Sequence, residues 1–180
     1  MPESERLVLR EWREKDWPFF AAMNANPQVM RFFPGVMTDK DSLSMWNRMR
    51  EELDERGYGL YAVELKHSGS LIGLLGFHWA DFEADFTPCV EIGSRLVPVA
   101  WGYGYATEGA RACLKHGFAR FGFDRVYSFT ACVNFPSQAV MQRVGMRKIA
   151  EFNHPKVAPD SILYPHVLYV KDTFRKIERE

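Results

Sequence analysis

Residues 91–108 read Glu-Ile-Gly-Ser-Arg-Leu-Val-Pro-Val-Ala-Trp-Gly-Tyr-Gly-Tyr-Ala-Thr-Glu and run straight on towards Phe118. Val90, Ile92 and Leu96 mark a strand that stops at Pro98. Gly102 and Gly104 then remove two Cβ atoms from a tight turn, after which Ala106, Ala110, Leu114, Phe118 and Phe121 recur at helical spacing. Strand, glycine turn and helix start together make an anion site. The first helical N–H groups have no intrahelical partner, the helix dipole adds partial positive charge, and glycine lets the backbone close on an oxyanion. A dinucleotide fingerprint would need glycine at position 107, which holds Thr107, and no Gly-Lys-Ser/Thr follows for a triphosphate loop. A phosphate or pyrophosphate of another kind is the expected ligand.

On either side of this centre, strands alternate with helices. Arg6–Arg10 alternates like a strand, with Trp12 at its exit. Asp16 and Pro18 predict a helix start capped by the acid, its buried side supplied by Phe19, Phe20, Met23 and, further on, Val29 and Met30. Pro34-Gly35 breaks that pattern. Thr38-x-x-Asp41 predicts a capping box, opening a helix with Leu43, Trp46, Met49 and Leu53 on one stripe and Gly57 at its end. Strands over Tyr58–Lys66 and Leu71–Trp79 flank the turn His67-Ser68-Gly69-Ser70. Val90–Leu96 and Arg125–Thr130 are the fourth and fifth strands. Asn134-Phe135-Pro136-Ser137 opens a short helix closed by Gly145, and Arg147–Phe152 with Tyr164–Lys171 form a last strand pair. Hairpin strands followed by strand–helix alternation predict an α/β fold, a mixed sheet with helices on both faces, in a single domain over residues 1–180.

Composition narrows the class. Hydrophobic residues make up 47% of the chain and charged ones 26%, as in a globular domain. Lys+Arg and Asp+Glu balance at 23 each and are scattered, so a nucleic-acid partner is not expected. The three cysteines, Cys89, Cys113 and Cys132, form no Cys-x-x-Cys, which argues against a disulfide framework or a metal site. With no signal-like start and no apolar run of membrane length, a cytoplasmic protein without a membrane partner is expected.

The string Leu96…Pro98…Trp101-Gly102-x-Gly104-Tyr105-Ala106-Thr107-Glu108 resembles the Arg/Gln-x-x-Gly-x-Gly/Ala pyrophosphate loop of the GNAT superfamily of N-acetyltransferases, and within it the RimJ/RimL-like branch. Val99 stands where that loop begins with Arg or Gln; backbone amides carry most of the phosphate binding. Ile72-Gly73-x-x-Gly76 is similar to the family's third-strand pattern, and the resemblance runs from Arg6 to Lys171. It implies a GNAT-type, mostly antiparallel sheet whose fourth and fifth strands splay apart after a bulge, with the pantetheine arm in the gap. It also implies acetyl-CoA as co-substrate, no metal, and an amine acceptor, on a monomer or homodimer.

By that resemblance, cofactor contacts fall on Leu96, Val97, Trp101, Gly102, Tyr103, Gly104, Tyr105, Ala106 and Thr107, then on Asn134 and Ser137. Acetyl transfer needs a neutral amine, a donor to the carbonyl oxygen and a proton for the departing thiolate. Glu91 is the first candidate base, on the opposite face from Val90 and Ile92, though a strand carboxylate can equally be a salt-bridge partner. His154, before Pro155, and His166 are alternative bases; His78 and His116 read as surface or core positions. Ser137 could protonate the sulfur or cap the helix that follows. No cysteine has a nucleophile's setting, so direct transfer without an acetyl-enzyme is expected. Acceptor selection falls to the first two helices, Phe32–Thr38 and Lys156–Leu163, which hold Trp46, Phe33 and Tyr164 but no acidic trough of the polyamine kind. A non-catalytic acyl-CoA-binding or regulatory module is the alternative reading.

Overall fold

The computed structural model describes residues 1–173; positions 174–180 of the expected single domain lie outside the described residues. The alternating segments form one seven-stranded sheet: β1 (Leu7–Arg10), β2 (Leu60–Leu65), β3 (Leu71–Ala80), β4 (Cys89–Leu96), β5 (Arg125–Ala131), β6 (Arg147–Asn153) and β7 (Pro165–Asp172). Their spatial order is β1-β2-β3-β4-β5-β7-β6, antiparallel throughout except for the parallel neighbours β4 and β5. Parallel neighbours need a crossover, supplied here by α3 (Tyr105–His116) and the π-type turn Gly117–Phe121. Adjacent residues of β3 show how both faces are covered. Leu74 packs with Phe20 of α1 (Trp17–Asn24) and Trp46 of α2 (Asp39–Arg56), whereas Leu75 packs with Ala110 and Cys113 of α3. No helix among the described residues is long and apolar enough to cross a membrane.

The two central strands part as expected, by a different device. β4 pairs with β3 without interruption from Ala80↔Cys89 to Gly73↔Leu96, and β5 with β7 likewise, so no register shift on either ladder marks the expected bulge. Register shifts fall instead at Val63/Glu64 and Lys148/Ala150. β4 and β5 share the single register pair Glu91↔Tyr127, followed by a hydrogen bond from Ser128 Oγ to the Ile92 carbonyl at 2.8 Å. Beyond that point β4 stays on its β3 ladder while β5 follows its own continuous ladder with β7. The gap is the divergence of two well-paired strands.

Local signals succeed where one turn of chain decides them. Thr38 Oγ1 accepts from the Asp41 N–H at 3.2 Å and Asp41 Oδ2 accepts from the Thr38 N–H at 3.1 Å, a complete capping box. Thr38→Ala is expected to cost about 1 kcal/mol in denaturant unfolding; an unchanged midpoint would show the box to be inert. Asp16 corrects its expectation. Its carboxylate accepts from the Arg13 N–H at 2.8 Å and pairs with Arg10 Nη1 at 2.6 Å, so it closes the turn before α1 and neutralises a buried guanidinium. α1 ends at Asn24, and Val29 and Met30 are buried from the turns after it. Leu43, expected on the buried stripe of α2, is exposed, while Ser42, one position back, faces inward to Asn24.

Candidate active site

Where β4 and β5 part, a cavity of about 640 Å³ opens between the two helical layers. Its backbone polarity follows from pairing. Val97 donates its N–H to the Ile72 carbonyl at 2.9 Å, so residues 91, 93 and 95 also direct theirs to β3. Ile92, Ser94 and Leu96 therefore turn their polar groups towards β5. The Ile92 carbonyl is taken by Ser128 and the Leu96 carbonyl by Trp101 Nε1 at 2.8 Å. This leaves the Ser94 N–H and C=O and the Leu96 N–H directed into the gap.

The glycine turn lies between Trp101 and Ala106, both on the cavity wall. Gly102 (φ +82°) and Gly104 (φ +81°) adopt the left-handed conformation that other residues rarely take. Gly104 is the N-cap of α3 and has no side chain to satisfy the helix. The Glu108 N–H reaches the Gly104 carbonyl at 3.0 Å, leaving the amides of Tyr105, Ala106 and Thr107 without helical acceptors. Glu108 braces the turn from behind by accepting from Ser4 Oγ at 2.6 Å, the Arg6 N–H at 2.8 Å and Arg6 Nε at 2.7 Å. The Arg6 guanidinium, paired with Glu108, lies 4.6 Å over the Tyr105 ring and packs the turn against β1.

At the start of α4 (Phe135–Arg143) the cap is Asn134 and not Ser137. Asn134 Oδ1 accepts from the Ser137 N–H at 3.3 Å, and its Nδ2 donates to Thr130 Oγ1 at 2.8 Å. Ser137 sits one turn inside the helix, half-buried and on the cavity wall, so its hydroxyl is not needed as a cap.

Glu91 lies on the face of β4 opposite Ile92 and Leu96, beside its cross-strand neighbour His78. Burial pushes its carboxyl up to about 8; His78 works against that shift and Glu52 adds to it. His78 Nδ1 is 2.7 Å from Glu52 Oε2 on α2, a bond that raises the imidazole above its usual range against the opposing effect of burial. A carboxyl, an imidazole and a second carboxylate thus cross the face from β4 to α2. His154 also lines the cavity, 4.6 Å from the Phe82 ring and 4.8 Å from the His166 ring. Burial, then His166 and Lys156, lower it to about 4. Its Nδ1 accepts from the Lys156 N–H at 3.2 Å, so neutral His154 carries its proton on Nε2 and offers a donor.

Of the residues singled out in the sequence, Glu91, Leu96, Trp101, Ala106, Asn134, Ser137 and His154 share this cavity. Gly102, Tyr103, Gly104, Tyr105 and Thr107 form the turn and helix start beside it, while the Val97 N–H is used within the sheet. Phe33 lines the cavity, Trp46 is core, and Tyr164 packs beneath the wall. Sequence reasoning passed over Arg95 and Glu52 and set His78 aside as a surface or core position. Arg95 recurs on Glu91's face at an even spacing, which was a readable signal; the Glu52–His78 pair spans two elements and left none. The three cysteines stay off the wall; burial drives the Cys89 thiol up to about 12 and Cys113 higher still.

A sheet opened between parallel strands, with bare helix amides beside the gap and a half-buried carboxyl within it, is the arrangement of an acyl-group transferase. The chain belongs to the GNAT acetyltransferase family: residues 6–147 match the family model described as acetyltransferase (GNAT) domain. It is 31% identical over 146 residues to "Uncharacterized N-acetyltransferase YnaD" of Bacillus subtilis, covering 81% of each chain. The GNAT-family acetyltransferase of Bacillus anthracis superposes with a TM-score of 0.77 at 27% identity, over 95% of this chain and 97% of that one. RimJ of Mycobacterium smegmatis, solved with a CoA disulfide, superposes at 0.73 and 20% identity over 92% and 81%, a likeness of fold. The family uses acetyl-CoA.

Proposed function

We propose that this protein is an N-acetyltransferase that moves an acetyl group from acetyl-CoA directly to a primary amine, on a protein N-terminus or a small molecule, with Glu91 as the base. The observation that carries the reading is a half-buried carboxyl at the strand divergence, its proton affinity raised to about 8. A base titrating near the working pH combines ionisation with driving force for proton transfer.

The chain's chemistry fits acetyl-CoA. The bare amides of Tyr105, Ala106 and Thr107, over glycines at φ +82° and +81°, would hold the diphosphate. The Ser94 and Leu96 main chain, with the Asn134 amide, would hold the arm. The cofactor supplies an activated acetyl thioester.

Glu91 takes a proton from the acceptor ammonium, directly or through one water. The raised His78 imidazole beside it stabilises the carboxylate and is itself held by Glu52. His154 offers Nε2–H as a donor and makes a poor base, because its other nitrogen is occupied and its proton affinity is low. Ser137 Oγ, on the cavity wall and not needed as a helix cap, is the hydroxyl assigned to the departing sulfur. The RimJ/RimL-like assignment rests on the Trp101–Glu108 string and the likeness to RimJ.

Mass spectrometry of a broad amine panel incubated with acetyl-CoA tests the reading. CoA binding with no acetylated product across the panel would favour the non-catalytic alternative. Ser137→Ala separates two roles for that residue. Because Asn134 is the cap, stability is expected to change by less than about 0.5 kcal/mol, while turnover falls at least ~10²-fold. A lowered melting temperature with full turnover would make Ser137 structural.

A further inference from the structure

We infer that the acceptor carries an anionic group, a carboxylate in its simplest form, received by the Arg95 guanidinium on the same face of β4 as Glu91. The inference rests on the acetyltransferase reading only in taking Glu91 to mark the amine end; the anion site stands on the geometry of Arg95.

Arg95 pairs in register with Leu74 of β3, so it points to the face covered by α1 and α2. The loop joining those helices encloses it. The guanidinium lies 4.4 Å over the Phe33 ring. Nη1 donates to Asn24 Oδ1 and approaches the Met37 and Met45 sulfurs, each at 3.9 Å. Nε is enclosed and has no hydrogen-bond partner. Among the described residues no carboxylate lies within 4.0 Å of this cation. Burial lowers its proton affinity to about 10, so it remains charged at neutral pH.

A guanidinium partly shut off from water, with its Nε fully enclosed, is normally paired, because neutral acceptors do not replace the water it has lost. Arg10, the other enclosed arginine, follows that rule with Asp16 and Glu64. Arg95 breaks it, and it does so on the wall of the cavity. Arg31 and Lys156 share that wall, whereas its one carboxyl among the described residues is Glu91, which holds a proton near neutrality. Such a cavity attracts an anion and repels a polycation. Val29, Phe32, Phe33 and Leu163 on the same wall suit an apolar body. Glu91 and Arg95 are four residues apart, about 13 Å between Cα atoms along an extended strand. Their side chains can converge on the two ends of one small molecule.

A purely structural Arg95 would brace the loop through Asn24 and Phe33, and the test must separate the two roles. Phenylalanine and 6-aminohexanoate, each beside its uncharged carboxamide, and spermidine are titrated calorimetrically into the CoA-saturated protein. At least one carboxylate is expected to bind about 10–100-fold more tightly than its amide, the range for hydrogen bonds to a charged group. Spermidine should bind more weakly than either. Arg95→Gln should abolish the preference without changing the affinity for the amide or for CoA, and Arg95→Lys should restore part of it. Equal binding of acid and amide in the wild type, or no binding of either acid, overturns the inference whether or not Arg95→Gln folds. So does a preference that survives Arg95→Gln. Turnover is measured separately on the same probes. An Arg95-dependent preference without acetylation leaves the anion site standing and removes the acetyltransferase reading; acetylation without preference does the reverse.

Discussion

Glu91→Gln is expected to lower kcat/KM by about 10²–10⁴-fold, the range for a lost general base, while making the protein harder to melt. The wild-type rate should rise with pH to a plateau above about 8, because Glu91 must lose its proton to act. The gap between the two proteins is widest where Glu91 is ionised and the acceptor amine is still protonated. It closes at higher pH, where the amine loses its proton unaided. Two acceptors of different basicity identify the group, since a limb owned by Glu91 stays in place when the acceptor changes.

Stability moves in the opposite sense. The Glu91 carboxyl rises from its ordinary 4.5 to about 8 in the folded protein, so between those values the fold holds a proton that the unfolded chain releases. Stability contributed by the protonated form is fully present below 4.5 and is lost as pH rises through 8. Glutamine carries no such charge. The difference in melting temperature, variant minus wild type, should be near zero in acid, grow through neutrality and level off above the titration. Identical pH–rate profiles for the two proteins would remove Glu91 from the mechanism.

Gly104→Val should weaken acetyl-CoA binding by roughly 10²-fold or more in a protein that still folds. Gly104 sits at φ +81°, where a β-branched residue is strained by about 1–3 kcal/mol. The valine methyls would also stand over the amides that open α3. Losing two charge-assisted main-chain hydrogen bonds at about 1.5 kcal/mol each corresponds to roughly 10²-fold in affinity. Gly122→Val is the matched control: Gly122 has φ +66° with open space around it, in the turn before β5 and away from the cavity. Both variants should lose similar stability, and only Gly104→Val should lose affinity for acetyl-CoA. Unchanged affinity in folded Gly104→Val would place the diphosphate elsewhere.

What the chain determines by itself lies within a few residues of contour. The Thr38–Asp41 box, the left-handed Gly57 that ends α2, and the Gly102–Gly104 turn before α3 depend on local φ/ψ and on hydrogen bonds three or four residues apart. Strand periodicity likewise set Glu91 against Ile92 before any partner strand was known. Asp16 marks the limit of that reading. An acid before a proline looks like a cap, yet its carboxylate is drawn to Arg10, which the β1 strand carries into the interior.

Only the tertiary structure decided the chemistry of the cavity. Strand alternation puts Arg95 on Glu91's face and leaves His78 a surface or core position, but it does not say which of them loses its water. Folding encloses the Arg95 guanidinium with Phe33 and Met37 of the loop after α1 and Met45 of α2, all far back in the chain, and brings Glu52 of α2 onto His78. The parting of β4 from β5 is set by two ladders pulling on strands that meet at one register pair. Sequence specifies which groups a strand carries and on which face. How much water they lose, and so how tightly Glu91 holds its proton and whether Arg95 finds a counter-charge, is set by elements that arrive from elsewhere in the chain.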